Sequence, residues 1–173
     1  MHNNQEAPVS LDTLQDLYVE ELKDIYSAEN QILKALPKMA RAANSDQLRS
    51  AFEDHVVMTR EQVRRLDTIF DELGTSPRGK HCKGMEGLIE EGSELMEEDA
   101  DPDVRDAGLI SAAQRVEHYE IAAYGTVRTY AKQLGLTNHA QLLQQTLDEE
   151  GETDQQLSRL AESRVNRAAE TGE

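Results

Sequence analysis

The sequence has little of what several protein classes require. It contains one cysteine, no tryptophan and only 4% aromatic residues. The single cysteine, Cys82, excludes an internal disulfide, which fits a reducing cytoplasm. The chain has no run of 18 apolar residues, so we expect no membrane-spanning helix. Residues 1–10 lack the apolar centre of a signal peptide, and we therefore expect a cytoplasmic protein.

Basic residues are scarce relative to acidic ones. Lys and Arg together number 18 against 34 Asp and Glu, which gives a net charge of −16. Nucleic acids and anionic membranes both attract basic surfaces. The charge balance therefore argues against both partners and predicts a highly soluble protein whose acidic residues lie mostly in water.

The sequence lacks the alternation of apolar and polar residues that is typical of strands, and it has helical periodicity instead. Apolar residues recur at spacings of three and four along four long segments and one short segment. These segments predict helices over residues 11–43, 46–73, 82–97, 101–134 and 138–168.

Capping and helix-breaking residues delimit these helices. Candidate N-caps are Ser10, Asn44 or Ser45, Asp101 and Thr137, whereas Gly74 and Gly135 are candidate C-terminal stops. Pro37 should kink or end the first helix.

The lengths of the connections predict the topology. Short loops make each pair of long helices an antiparallel hairpin, and the long connection with the short helix can cross the length of the bundle. The predicted fold is therefore an all-α, ferritin-like four-helix bundle, up-down with one long crossover, over residues 10–169. Residues 1–9 and 170–173 are expected to be disordered tails.

Acidic residues occur on helix faces that are otherwise apolar. Glu29 lies four residues after Ile25 and three before Ile32, so it should point into the bundle. Glu117 and Glu120 are three residues apart, so both can reach one point.

The second and last helices repeat this pattern. His55 lies on the face of Phe52 and Leu66, together with Thr59 and Gln62. On the last helix two carboxylates, four residues apart, share a face with leucines. The candidate metal ligands are thus Glu29, His55, Glu117, Glu120, Glu150 and Asp154.

A metal site would offset the cost of burying these groups. Buried carboxylates without a partner are costly and repel one another. Carboxylate oxygens and imidazole suit iron, manganese or zinc, and carboxylates can bridge two ions. We therefore expect two metal ions per chain, and iron in preference to manganese or zinc. Iron would activate oxygen or peroxide, whereas manganese would disproportionate peroxide.

The sequence also permits other interpretations. Arg115 or Arg128 would pair with the glutamates in a metal-free polar network. Three tyrosines near the same level would donate hydrogen bonds to the ligands, act as redox partners, or be core residues bonded to the buried carboxylates; they are Tyr26, Tyr119 and Tyr124.

Other candidate residues carry weaker signals. Cys82 and His81 are expected to be a surface pair, and Glu86 to lie on a solvated face. His118 and His139 lie off the apolar stripes, although His118 neighbours Glu117. No residue is assigned a catalytic role.

Four sequence runs are similar to a known family. DIYSAENQILKALPKMA, CKGMEGLIEEG, RDAGLISAAQRVEHYEIAAYGT and TLDEEGETDQQL resemble the YciF/YciE-like family of ferritin-like bacterial stress proteins. The resemblance covers residues 10–169, and QRVEHYEIAAYGT is its most specific part. It implies a four-helix bundle, a homodimer, and a link to general, osmotic or oxidative stress.

The wider di-iron pattern is matched only in part. That pattern has a Glu on each of two helices and a Glu-x-x-His on each of the other two. Here the second helix offers His55, Thr59 and Gln62, and the last offers Glu150 and Asp154. Two hypotheses follow: an iron-dependent oxidoreductase of ferroxidase or peroxidase type, or a non-catalytic dimeric stress or structural protein.

Overall fold

The computed structural model describes residues 10–171, which form helices and their connections without any strand. The predicted all-α bundle with a short helix in its long connection is confirmed. Residues 1–9 and 172–173, which belong to the predicted tails, lie outside the described residues. The elements are α1 (Leu14–Ala42), α2 (Asp46–Leu73), α3 (Lys83–Glu97), α4 (Pro102–Gln133), α5 (Thr137–Leu160), a π-helical turn (Ala161–Val165) and α6 (Asn166–Thr171).

Several predicted helix ends are confirmed. The Ser45 hydroxyl accepts a hydrogen bond from the Leu48 backbone N–H at the start of α2. Gly74 ends α2 with φ 65°, a left-handed conformation that glycine adopts without strain. Asp101 caps α4, and Pro102 occupies the first turn, where its missing N–H costs nothing.

Other predicted ends are wrong. Thr13 caps α1 instead of Ser10, because Thr13 and Asp16 bond reciprocally to each other's backbone N–H. Thr137 is the first residue of α5, and no side chain caps that helix. Pro37 does not end α1, which continues to Ala42. The last predicted helix is interrupted by the π-helical turn, which ends at the buried Val165.

Hydrogen bonds at one end of the bundle fix the start of α4. The Asp106 carboxylate, 1% exposed, accepts from the backbone N–H groups of Asn44 at 2.8 Å and Ser45 at 2.6 Å. The turn between α1 and α2 therefore lies beside the first turns of α4.

A second set of contacts fixes the opposite end. His139, in the first turns of α5, lies 3.1 Å from the Tyr18 hydroxyl near the start of α1. Its other ring nitrogen lies 2.9 Å from Glu72 near the end of α2. The connection from α2 to α4 must therefore run the length of the bundle, which confirms the crossover. His139 is buried, although its position lies off the apolar stripe, because it joins three helix ends.

The core consists of two apolar clusters with polar residues between them. One cluster, at the α1–α2 turn, includes Ile32, Leu36, Leu48, Phe52, Met85, Leu109 and Leu157. The other, at the opposite end, includes Tyr18, Leu22, Leu66, Phe70, Val127 and Leu143. Between them lies what we call the polar layer: Glu29, His55, Thr59, Gln62, Glu117, Glu120, Thr146 and Glu150, all buried.

The helices are otherwise amphipathic. Within residues 10–171, none combines the length and the apolar character needed to cross a bilayer.

Replacement of Asp106 by Ala should destabilise the bundle. Two backbone N–H groups would lose the buried carboxylate that accepts from them, which costs about 2–3 kcal/mol in free energy of unfolding. Urea denaturation of the variant and the wild type measures this difference. The matched change Asp99→Ala, at an exposed loop carboxylate, should shift the value by no more than about 0.5 kcal/mol. Equal effects of the two substitutions would contradict the role given to Asp106.

Candidate metal centre

Four ionisable side chains from three helices meet in the polar layer. Each offers one potential ligand atom, and these atoms lie within 4.8 Å of one another; the residues are His55, Glu117, Glu120 and Glu150, here called the four-ligand group. None of the four is more than 4% exposed. His55 Nε2 lies 3.5 Å from a Glu117 oxygen and 4.0 Å from a Glu150 oxygen.

Helix periodicity places these residues between the apolar clusters. Glu117 follows Ala113 by one turn, and Glu120 precedes Tyr124 by one turn, on the buried face of α4. His55 follows the buried Phe52 by three residues on α2. Each ligand candidate thus occupies a position that an apolar side chain would otherwise fill.

Glu29 lies beside the four-ligand group. It is 0% exposed, and the Tyr124 hydroxyl donates a hydrogen bond to its Oε1. Its Oε2 has no hydrogen-bond partner. Glu29 and Glu120 are close enough for each to influence the pKa of the other. The side chain therefore adds a fourth carboxylate to the same layer.

Asp154 lies apart from the others. Its side chain is 20% exposed and lies 3.3 Å from Nε2 of the exposed His118. The Gln114 side-chain amide donates to it at 3.1 Å. Asp154 is one turn beyond Glu150 on the same face of α5, but its side chain lies nearer the surface. The structure does not bring Asp154 to the four-ligand group, so its role as a ligand stays a prediction.

The two arginines expected in a metal-free network pair elsewhere. Arg115 lies 3.6 Å from Glu91, and Arg128 donates to Gln144. Two guanidinium nitrogens of Arg65 donate hydrogen bonds to the Glu149 carboxylate, each at 2.7 Å. Within residues 10–171, no Lys or Arg forms an ion pair with any of the buried glutamates of the polar layer.

Many polar atoms of the layer lack a hydrogen-bond partner. They are Glu29 Oε2, His55 Nδ1 and Nε2, Gln62 Oε1, Glu117 Oε2, Glu120 Oε1 and Oε2, and Glu150 Oε2. Buried polar groups are almost always paired with protein, water or an ion, because an unpaired one costs about 1–3 kcal/mol. These atoms are concentrated at one level of the bundle, where protons, water or a cation would supply the missing partners.

Burial also changes the charge states. It raises the pKa of Glu29 to about 8 and that of Glu150 to about 7. Burial, reinforced by repulsion from Glu150, raises the pKa of Glu117 and of Glu120 well above the usual range. The pKa of His55 falls to about 4, because burial disfavours its charged form. The imidazole is thus neutral at neutral pH and has a free lone pair.

Neutral and cationic groups on α2 contact the carboxylates of α5. The Gln62 side-chain amide donates to Glu150, and at 3.2 Å to Glu149. Thr59 instead bonds to the His55 backbone carbonyl at 2.9 Å. The Arg65–Glu149 pair was missed at the sequence level, although Arg65 lies one turn after Gln62 on α2 and Glu149 adjoins Glu150.

The three tyrosines have different surroundings. Tyr124 bonds to a buried carboxylate, as one of the alternatives predicted. Tyr26 packs edge-on against Phe70. Tyr119 donates to Asp24 at 2.8 Å and lies 3.0 Å from the Cys82 sulfur.

The predicted surface position of Cys82 is wrong. Cys82 is 1% exposed, because as N-cap of α3 it turns inward to accept the Met85 N–H. Its neighbour His81 is exposed and pairs with Glu86 at 3.1 Å, as expected for a solvated surface.

Comparison with known proteins agrees with the geometry of the bundle. Residues 13–170 match a family described as a domain of unknown function, DUF892. The chain is 45% identical to Protein YciF of Escherichia coli (strain K12) over 163 residues, which cover 94% of this chain and 98% of that protein. It resembles the crystal structure of the E. coli stress protein YciF with a TM-score of 0.87 and 46% identity, over 90% of this chain and 99% of that one.

A second solved structure extends the comparison. YcfI from Rhodopseudomonas palustris, whose description suggests a structural role, is 39% identical with a TM-score of 0.83, over 91% of this chain and 98% of that one. The family match covers nearly all the described residues. The chain therefore belongs to the DUF892 family, and its sequence is similar to that of the YciF-like proteins.

Proposed function

We propose that the polar layer binds two metal ions, preferably iron, and that the protein uses these ions in stress defence. One observation carries the proposal. A neutral imidazole and three buried carboxylates offer ligand atoms within 4.8 Å of one another, and no Lys or Arg of the described residues pairs with them. A cation would offset their mutual repulsion and satisfy their unpaired oxygens.

The donor set fits iron or manganese. His55, Glu117, Glu120 and Glu150 would hold the first ion. Glu29 Oε2 and the unpaired oxygens of Glu120 offer further donors, so bridging carboxylates would let a second ion bind beside the first. Bound iron or manganese would supply one-electron chemistry towards oxygen or peroxide.

The chain's own residues would orient and shield the ions. Tyr124 holds Glu29, and Gln62 holds Glu150, so both carboxylates keep fixed directions. Arg65 compensates the charge of the neighbouring Glu149. The apolar clusters on both sides exclude bulk water from the layer.

The stress role rests on the relatives. The E. coli protein, 46% identical in its crystal structure, is described as a stress protein. A site for redox metals suits defence against oxidants. The expected homodimer and the cytoplasmic location stay predictions, the first to be checked by sedimentation equilibrium of the full chain.

A second candidate function is a structural role without metal. The raised pKa values of Glu29 and Glu150 would let both be protonated near neutral pH, so that the layer holds itself together by hydrogen bonds. The suggested structural role of the R. palustris relative favours this alternative. Metal content separates the two.

Metal-stripped protein should take up two equivalents of iron per chain. Fe(II) under anaerobic conditions, Mn(II) and Zn(II) are added separately, and the metal that stays with the desalted protein is measured by mass spectrometry. Glu117→Gln and Glu150→Gln keep the side-chain shape but remove a charged donor, so each should weaken affinity by at least about tenfold.

Two further variants make this experiment specific. Glu152→Gln, at an exposed position of α5, should leave affinity unchanged. Asp154→Asn should weaken it less than Glu150→Gln, because Asp154 lies outside the four-ligand group. Uptake no greater than that of the unfolded chain would favour the structural alternative.

Stability of the metal-free protein should fall as pH rises from 6.5 to 8.5. The folded-state pKa of Glu29 is raised from 4.5 to about 8, so its contribution is fully present below 4.5 and is lost as pH rises towards 8. The depressed pKa of His55 acts oppositely, but only between about 4 and 6.5. Above 6.5 the effect of His55 is complete, and between pH 6.5 and 8.5 the ionisation of Glu29 should lower the free energy of unfolding by about 2 kcal/mol.

Denaturant titrations at several pH values measure this fall of the free energy of unfolding with pH. Glu29→Gln should make the fall in stability shallower, with the remainder due to the other buried glutamates, whereas Glu53→Gln, at an exposed position of α2, should leave the fall unchanged. A profile of the wild type that stays level from pH 6.5 to 8.5 would show that the layer is not held protonated in the absence of metal.

A further inference from the structure

A cavity of about 250 Å³ extends from the polar layer towards the α1–α2 turn. His55 and Glu117 line its end at the layer. Met39, which also lines it, is ten residues beyond Glu29 on α1 and so lies about 15 Å along the helix from the layer. The wall between these ends is mainly apolar and includes Ile32, Leu36, Phe52, Ile89, Val116 and Leu157. The cavity thus has one buried polar end and an apolar remainder.

The charged residues at the opening of the cavity balance one another. Two lysines and two carboxylates line the cavity and are exposed: Lys34, Lys38, Asp54 and Glu86. Equal numbers of positive and negative groups select neither an anion nor a cation. Selection therefore depends on the polar end and on the apolar wall, and such a wall favours an uncharged aliphatic chain.

The polar end suits a group that both donates and accepts hydrogen bonds. Both ring nitrogens of His55 and Oε2 of Glu117 are buried and have no hydrogen-bond partner among the described residues. An imidazole nitrogen donates in one tautomer and accepts in the other, and a carboxyl oxygen accepts when ionised and donates when protonated. A hydroxyl or hydroperoxyl group matches every one of these cases. An ammonium group only donates and a carboxylate only accepts, and each would carry a charge into a mainly apolar space.

The volume of the cavity limits the length of the chain. At about 30 Å³ for each non-hydrogen atom, the share of one molecule in liquid water, the cavity holds about eight such atoms. Six carbons and two oxygens would fill it, whereas hydrogen peroxide would leave most of the apolar wall uncovered. Small side chains keep the space open, since Ala113, one turn before Glu117 on α4, and Ala35 on α1 both line it.

We propose that this cavity binds a straight-chain alkyl hydroperoxide of about six carbons, with its hydroperoxyl end at His55 and Glu117 and its chain along the apolar wall. The chemical step rests on the proposed function, whereas occupation of the cavity requires no metal. Cleavage of the O–O bond would take two electrons, one from each of two bound Fe(II) ions, and two protons from water. The products would be the alcohol, one water molecule and two Fe(III) ions.

Calorimetric titration of the metal-free full chain tests the occupation of the cavity. 1-Hexanol, the alcohol that this reduction yields from hexyl hydroperoxide, should bind once per chain and at least tenfold more tightly than hexanoate or hexylammonium. Lys34→Ala/Lys38→Ala should leave 1-hexanol binding unchanged, because the polar end lies at the layer. No saturable binding of 1-hexanol, or equal affinity for either charged analogue, would overturn the proposal.

Cavity-filling variants locate the ligand. Ala113→Leu should weaken 1-hexanol binding at least tenfold, and Ala35→Leu serves the same purpose if the first variant folds poorly. Ala122→Leu, the same change at an exposed position of α4, should have no effect. Unaltered binding by both filled variants would place the alcohol elsewhere and overturn the proposal.

Anomalous diffraction from crystals soaked with 6-bromo-1-hexanol tests the orientation. The bromine peak should lie towards Met39, at the end of the cavity remote from the polar layer. A bromine peak beside His55 would show that the chain enters in the opposite direction, and would overturn the assignment of the polar end.

Iron-loaded protein separates this inference from the proposed function. Under anaerobic conditions, Ala113→Leu should slow the oxidation of bound Fe(II) by hexyl hydroperoxide at least tenfold and leave oxidation by hydrogen peroxide unchanged. Equal rates in the variant and the wild type for both oxidants would overturn the substrate class and leave the metal site standing. 1-Hexanol binding without iron uptake would refute the proposed function, and the chemical step with it, but not the occupation of the cavity.

Discussion

The burial of four carboxylates and one neutral imidazole between two apolar clusters is the constraint on which the rest of the structure depends. Glu29, Glu117, Glu120 and Glu150 are each 3% exposed or less, so water does not relieve their repulsion. The clusters on either side pack the helices against one another and so hold the acids close together. Only protons or cations can lower the charge of the layer, and the chain supplies no basic partner for it among residues 10–171.

The long crossover brings these residues to one level. Anchors at the two ends of the bundle, Asp106 and His139, set how far α4 and α5 are shifted along α1 and α2. That register places His55 opposite Glu117 and Glu150. The same arrangement leaves a cavity beside them, with His55 and Glu117 in its wall.

Helical periodicity was enough to predict the bundle and the inward direction of Glu29, His55, Glu117, Glu120 and Glu150. It reports the face of a helix on which a residue lies, but not the distance of the side chain from the bundle axis. Asp154 shares a face with Glu150 and yet lies near the surface beside His118. Periodicity also gives no information on contacts between residues that are distant in sequence. Arg65 joins Glu149 across two helices, and His139 and Cys82 are buried by contacts with other segments.

The family match explains why this architecture recurs in similar proteins, whereas the chemistry must be argued from the polar layer itself. Anomalous diffraction at the iron absorption edge, from crystals of iron-loaded protein, tests that argument most directly. Two peaks are expected inside the polar layer, between Glu117, Glu120 and Glu150, with Glu29 beside the second. An ordered polar layer without an anomalous peak, or peaks confined to surface carboxylates, would contradict it.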